Sequence, residues 1–405
     1  MDAANNVILH DINTNSIFRL VQHQGPVSRV EISERTGLAA STVSMITGEL
    51  QGNGFIRECG YATSTGGRRP RLLEINPDGG YFLCVDLAGS NIAVGVLNLS
   101  FELVHEWSYE KTMASGESLY REMVKSITEV LTWCNENTFK VISLGVAAPG
   151  LMNADTGKIV EASNLNWHDL KLNELLEQEF HLPVIVENDT NAAAYGEFLY
   201  GSENASKAQN MMYIAVGTGV GGGLIIGREL YKGSQGMAGE IGHVVVQPNG
   251  QLCSCGKKGC LETLVSESSL LREYNHQTQA KAGDIEELLE RAEAGDALAN
   301  TVFTSAGATL GMVVGNQVNI LNLDSVVFGG QVIARVRPMF ETIVKSLNGV
   351  LLPGFESNLE VRVSSLSSSA GYAGIAYSSL TSVMDKYGFK HPVMLEGTTL
   401  YSQFP

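Results

Sequence analysis

Cysteine is scarce: six in 405 residues is far too few for a disulfide scaffold. Charged residues make up only 17%, against 44% apolar, which excludes a disordered chain. The start, MDAANNVILHDIN, has neither a basic stretch nor an apolar core, so the reading expects no export signal. The longest uncharged run, residues 297–323, contains nine Asn, Gln, Ser and Thr residues, so a buried helix is expected there rather than a membrane span. No GxxxxGK[ST] phosphate loop occurs. Lysine is missing from residues 1–75.

That last absence belongs to a charge asymmetry. Residues 1–75 hold seven Arg and seven Asp or Glu and sum to zero. The remainder carries 20 basic and 36 acidic residues, and so the whole net charge of −16. A uniformly acidic chain is a poor DNA binder, whereas this distribution separates the ends by function.

The N-terminal segment reads as three short helices. Ile12, Ile17, Leu20 and Val21 share one face of a helix over 12–24, which Gly25-Pro26 ends. Ser28, with Glu31 three residues on, forms a capping box for the second. Thr36-Gly37 makes the turn, and Ser41 or Thr42 starts a third helix that buries Val43, Ile46 and Leu50. Two alternating strands, 55–59 and 71–75, then flank the loop GYATSTGGRRP, so a winged helix-turn-helix is expected. Ser41, Thr42, Ser44 and Met45 are the base-reading candidates. Arg57, Arg68, Arg69 and Arg71 would meet phosphate or the minor groove.

From Tyr81 the pattern becomes strand, Gly turn, strand, and it returns at Met211 as NMMYIAVGTGVGGGLIIG. This reads as a loose internal duplication, with a ligand cleft expected between two α/β halves. His243, Cys253, Cys255 and Cys260 have the types and spacing of a closed Cys3His structural zinc set. The cluster Glu187-Asn188-Asp189-Thr190-Asn191 at the end of a strand, with Asn164, Glu240, His243 and Glu262, offers carboxylates, amides and an imidazole suited to paired hydrogen bonds with sugar hydroxyls.

Two motifs carry a resemblance most specifically, GEIGH at 239–243 and CSCGKKGCLET at 253–263, with AAPG at 147–150, ENDTNAA at 187–193, AVGTGVGGG at 215–223 and NLDSVVFGG at 322–330 in support. On these the chain resembles the ROK family of repressors and sugar kinases, and its repressor branch in particular. The resemblance implies a duplicated actin-like (RNase H-like) α/β body behind the winged helix. Its expected parts are a winged domain at 1–76, a small subdomain at 77–190 joined by a helix at about 368–387, a large subdomain with the zinc loop at 191–367 and a tail at 388–405. By motif, Asn164, Asn188, Asp189, Glu240, His243 and Glu262 become sugar contacts, His243 serves both sugar and Zn2+, and Asp189 matches the kinases' catalytic base. The family's first phosphate turn reads Asp-x-Gly-Gly-Thr, whereas this chain has Asp86-Leu87-Ala88-Gly89-Ser90, which sets it against ATP binding and kinase activity. The expected protein is a cytoplasmic, dimeric or tetrameric, sugar-responsive repressor binding a double-stranded operator. The alternatives are an active sugar kinase with a regulatory N-terminus and a repressor controlled by a sugar-transport protein.

Overall fold

A computed structural model describes residues 2–63, 69–89, 91–110, 115–153, 156–202, 207–366 and 369–389. Arg68 and Ser90 lie outside the described residues. The chain forms two compact units: one holds Met1–Val146, Lys171–Val186 and the chain from Ile375 on, the other Ala147–Leu170 and Glu187–Gly374.

The first unit opens with α1 (Asp2–Gln24), which begins ten residues before the expected start. Strand β1 (Val27–Ser28) leads into α2 (Arg29–Thr36). The capping box forms as read: Ser28 Oγ accepts from the Glu31 amide, Glu31 accepts from the Ser28 amide, and Gly37 ends the helix at φ +70°. Helix α3 (Ala40–Gly52) starts one residue earlier than expected, without a side-chain cap. Its Val43, Ile46 and Leu50 are buried with Ile17, Phe18 and Ile32 of the two preceding helices. Strands β2 (Ile56–Tyr61) and β3 (Arg71–Ile75) pair antiparallel, and β1 joins the far edge of β3. The winged helix-turn-helix is therefore present.

Behind it lies a five-stranded sheet in the order β11-β7-β4-β5-β6, built from β4 (Tyr81–Asp86), β5 (Asn91–Asn98), β6 (Leu103–Glu110), β7 (Val141–Ala148) and β11 (Val184–Asn188). Helices α4 (Glu117–Glu136) and α5 (Leu172–Phe180) bury one apolar stripe each in this unit.

The second unit repeats the plan. Its sheet runs β14-β13-β12-β15-β16, from β12 (Asn210–Val216), β13 (Val220–Ile226), β14 (Glu229–Leu230), β15 (Ser325–Gly329) and β16 (Glu360–Val363). In each sheet the first strand pairs with the second, the third lies outside the second, and the fourth and fifth extend the opposite edge. The duplication read in the sequence is thus a duplication of topology. The hairpin strands β8 (Leu151–Met152), β9 (Ile159–Ala162) and β10 (Trp167–Leu170) and helix α6 (Asp189–Tyr200) also belong here. Short α7 (Glu262–Val265) precedes α8 (Glu267–Gln277), α9 (Ile285–Glu293), α10 (Ala297–Leu321), α11 (Gln331–Arg335) and α12 (Arg337–Asn348). Helix α10 is the long uncharged run, and Val302, Phe303, Leu310, Val314 and Val318 bury it in the unit's core. Gly307, Gly311 and Gly315 let α12 approach its backbone: a Cβ at Gly311 would stand 2.3 Å from the Ile343 carbonyl oxygen. The last helix, α13 (Ser369–Tyr387), starts in the second unit and continues in the first.

Candidate functional site

The polar candidates of the body all lie in the second unit. Strand β11 ends in Glu187-Asn188, and Asp189 opens α6. Asn188 caps that helix: its Oδ1 accepts from the Asn191 amide at 3.0 Å, while its Nδ2 donates to the Gly150 carbonyl at 3.1 Å. One N–H and one lone pair of the carboxamide are left for a ligand, so the side chain first shapes the site. Gly150 in turn is pressed against the hairpin. At φ +116° its Cβ would lie 2.5 Å from the Glu161 carbonyl oxygen and 2.7 Å from Ala162 Cβ. Asn164 stands two residues beyond, exposed, in the β9–β10 turn. Changing Gly150 to Ala should strain this junction and cost roughly 1–3 kcal/mol, read as a lower denaturation midpoint. An unchanged midpoint would contradict the contact.

Asp189 Oδ1 accepts from the Thr190 amide at 2.7 Å. Glu240 sits at the end of the loop after β14, and its carboxyl is pushed up to about 6 by burial and by the nearby charges of Asp189 and Glu262. A carboxyl that holds a proton for part of the time near neutral pH can both donate to and accept from a hydroxyl. Glu262 Oε2 accepts from the Val220 amide at 3.2 Å, and a Cβ on Gly219 would stand 2.9 Å from that oxygen. The second Gly turn is therefore packed on a carboxylate. Gly330 is also a packing glycine, since a Cβ there would stand 2.0 Å from the Val216 carbonyl oxygen.

His243 closes a short 3-10 turn from Ile241 and faces the cysteine loop. Its Nδ1 lies 3.6 Å from Cys253 Sγ, and Cys255 Sγ lies 3.6 Å from Cys260 Sγ. One donor atom from each of the four residues lies within 4.8 Å of all the others, close enough to hold a metal ion. The loop folds back because Gly256 and Gly259 take φ of +84° and +72°. At Gly259 a Cβ would collide with the Gln247 carbonyl oxygen, 1.6 Å away. Glu262 Oε1 lies 3.7 Å from Cys253 Sγ, which joins the cysteine cluster to the carboxylates.

Sequence reasoning missed two residues. Lys232 donates to the buried Glu187, whose other oxygen accepts from the Asn188 amide at 3.0 Å. Its carbonyl also accepts from Ala238, so it ties the loop that carries Glu240 to the start of α6. Nothing in the local pattern around Lys232 marks that contact. Arg29 is the second. It donates to Thr47 Oγ1 at 2.9 Å and Gln51 Oε1 at 2.7 Å and lies 3.7 Å from Glu58, joining α2, α3 and the wing. A cation at the first position of a helix opposes the helix dipole, and that was the available clue.

In the winged helix, Ser41, Ser44 and Met45 are exposed and Thr42 half-buried, opposite the buried face of α3. The wing arginines differ among themselves. Arg57 pairs with Glu74 at 2.8 Å, and Arg71 pairs with Glu58, holding that carboxyl below the usual range. Arg69 is exposed, with no ion pair among the described residues.

Comparison with known proteins agrees with this architecture. The ROK family profile matches residues 82–381, and the IclR helix-turn-helix domain matches residues 14–59. The xylose repressor of Bacillus subtilis (strain 168) is 30% identical over 93% of this chain and 97% of its own length. The DNA-binding transcriptional dual regulator NagC of Escherichia coli (strain K12) is 27% identical over 87% of this chain and 89% of its own. Among solved structures, a ROK family transcriptional regulator described as a homologue of the E. coli MLC protein superposes with a TM-score of 0.82 at 25% identity, covering 96% of this chain and all of that one. A ROK family glucokinase from Streptomyces griseus, solved with glucose and AMPPNP, gives 0.67 at 27% identity, covering 75% of this chain and all of that one. The chain belongs to the ROK family, in the branch whose members carry an N-terminal helix-turn-helix and regulate transcription.

Proposed function

We propose that the chain represses genes of carbohydrate uptake or metabolism and that a sugar or sugar derivative controls its hold on DNA. The observation that carries this reading is that the half-buried Glu240 feels the charges of both Asp189 and Glu262, and that Glu262 reaches the cysteine cluster, in a chain with an N-terminal helix-turn-helix. Acceptors, a part-protonated carboxyl and the free side of His243 suit a polyol, which offers several hydroxyls as both donors and acceptors. His243 Nδ1 lies 3.6 Å from Cys253 Sγ, and with that nitrogen on the metal Nε2 would serve the sugar. Asn164 and Asn188 complete the set.

The four donors fit Zn2+. A tetrahedron with Zn–S bonds of about 2.3 Å has sulfur–sulfur edges of about 3.8 Å, near the 3.6 Å between Cys255 and Cys260. Without a cation the Cys260 thiol is pushed up to about 12 by burial and by the neighbouring sulfurs, so that thiol needs a positive ion beside it to ionise. Three thiolates and an imidazole leave no open position, so the ion would act by holding His243 and Glu262 in place.

Kinase chemistry is not part of the proposal. At the first turn the Ala88 amide donates to Asp86 Oδ1 at 2.8 Å, and the Ala88 methyl crowds an approaching phosphate. Phosphoryl transfer rests on positioning, so a misplaced ATP costs orders of magnitude. The test has two arms. Purified protein should show a rise in melting temperature with one of D-xylose, D-glucose or N-acetyl-D-glucosamine. ATP turnover with that sugar should stay far below the kinase range of about 1–100 per second. Turnover within that range would replace the regulator reading with the kinase one.

A DNA-binding regulator acts in the cytoplasm, most simply as a dimer with two winged helices on two half-sites. Of the wing residues, Arg69 should matter most, because Arg57 and Arg71 would first have to leave their carboxylates. Arg69→Ala should weaken binding to all sequences alike and reduce the salt slope by about 1 per chain bound, with Arg57→Ala smaller in both respects. Equal effects of the two substitutions would contradict this ranking.

A further inference from the structure

A single carboxylate on the wing stands between two arginines. Ile56 and Glu58 of β2 share a face with Arg71, Leu73 and Ile75 of β3, since Ile56 lies opposite Ile75 and Glu58 opposite Leu73. Ile56, Leu73 and Ile75 are buried, and α1 and α2 pack on β3. Arg57 and Glu74, opposite one another, occupy the other face and pair there. A bulge then shifts the register between Glu58 and Gly60, and Arg71 falls opposite Tyr61. Glu58 still meets Arg71: its Oε2 accepts from Arg71 Nη1, while its Oε1 lies 3.7 Å from Arg29 Nη1.

The two arginines are not held alike. Arg29 also donates to Thr47 Oγ1 at 2.9 Å and to Gln51 Oε1 at 2.7 Å, so α3 fixes it from a second side. Its side chain is 32% exposed, against 52% for Arg71, which opens β3 at the wing loop. Arg71 is therefore the partner that can leave, and Arg29 the one that stays. A guanidinium takes a carboxylate or a phosphate with the same planar fork of donors. Glu58 thus offers Arg71 within the protein what the DNA backbone offers outside it. When Arg71 leaves, Glu58 keeps Arg29, so no bare carboxylate is left to repel the DNA.

We propose that Glu58 competes with DNA phosphate for Arg71 and so sets how tightly the protein holds a duplex, with Arg29 as its standing partner. This rests on the reading of Arg71 as a DNA contact of the wing. Glu58 acts through Arg71 and is a positioning residue. An exposed ion pair shifts an equilibrium by up to about fivefold, and that is the range by which Glu58 weakens binding for each chain bound. The effect falls on all sequences alike, because phosphate contacts carry no sequence information. A regulator must let go as well as bind, and a carboxylate that takes Arg71 back favours release.

The test uses full-length protein and two labelled duplexes, one selected from a random-sequence library by the wild type and one of scrambled sequence. Glu58→Gln keeps the size of the side chain and an acceptor for Arg29 but removes the charge. It should bind both duplexes about threefold to fivefold more tightly for each chain bound, with the melting temperature of the wild type. Arg71→Ala should bind the selected duplex more weakly, and adding Glu58→Gln to it should gain less than about 1.5-fold. A full gain in the Arg71→Ala background means that Glu58 acts by its own repulsion of phosphate, and it overturns the proposal. So does wild-type affinity in Glu58→Gln. Should that protein melt lower, Glu58→Thr, which suits a strand, is the second variant, and wild-type or weaker affinity in it overturns the proposal equally. In Arg29→Met the carboxylate has Arg71 alone: affinity should fall, and Glu58→Gln in that background should gain more than it does in the wild type. A smaller gain there overturns the part given to Arg29. If Arg71→Ala binds the selected duplex as the wild type does, the reading of Arg71 as a DNA contact falls and the competition with it. If Arg71→Ala weakens binding and Glu58→Gln does not strengthen it, the competition alone falls.

Discussion

Replacing Cys253 by Ala should empty the metal site, lower the melting temperature by roughly 5–10 °C and abolish the response to sugar. Cys253 is the buried member of the set that touches both neighbours in the argument, with its sulfur 3.6 Å from His243 Nδ1 and 3.7 Å from Glu262 Oε1. Loss of one thiolate leaves a three-ligand site that fixes the loop less firmly, with backbone hydrogen bonds such as Gly256 to Cys253 and Gly259 to Gln251 left to hold its turns. Duplex binding in the absence of sugar should survive, because the winged helix lies in the other unit. Elemental analysis of the purified wild type should find about one zinc per chain. Wild-type protein without zinc, or a Cys253→Ala protein that keeps its sugar response, would contradict the role given to the cluster.

Asp189→Ala should reduce sugar affinity by about 10- to 100-fold, the cost of a charge-assisted hydrogen bond at a half-buried carboxylate. The same change removes one of the two charges that add to burial in raising the Glu240 carboxyl, so that carboxyl should fall part of the way toward its ordinary range. Stability should drop by no more than about 1 kcal/mol, since the loss at the start of α6 is a favourable charge on a helix N-terminus that Asn188 still caps. Isothermal titration with the responsive sugar and a denaturation curve separate these effects. Full sugar affinity in Asp189→Ala would move the binding site elsewhere.

Much of this was legible in the sequence because it was local. The Ser28–Glu31 capping box, the Gly37 turn and the buried stripe Val43, Ile46 and Leu50 follow from spacings of three and four residues, and all three formed. The Cys3His set was legible because ligands of one ion must fall close in sequence when a short loop carries them. Three features could not be read, for one physical reason: each depends on contacts between distant parts of the chain. Asn188 is typed by motif as a sugar contact, but its role as helix cap and its bond to Gly150 become visible only when the β8–β9 hairpin lies beside α6. The pairing of Arg57 and Arg71 with Glu74 and Glu58 depends on the register of β2 against β3. Phe389 falls in what reads as a tail, and only the packing of α13 shows that it closes the core of the first module.

The central claim is that one chain couples a sugar to DNA. Fluorescence anisotropy of the selected duplex, titrated with full-length protein in the presence and absence of each candidate sugar, tests it most directly. The account predicts that one sugar changes the dissociation constant by at least about fivefold, a coupling of about 1 kcal/mol, and that Asp189→Ala removes the change while leaving sugar-free affinity as it was. A duplex affinity that stays constant at saturating concentrations of the very sugar that raises the melting temperature would contradict it.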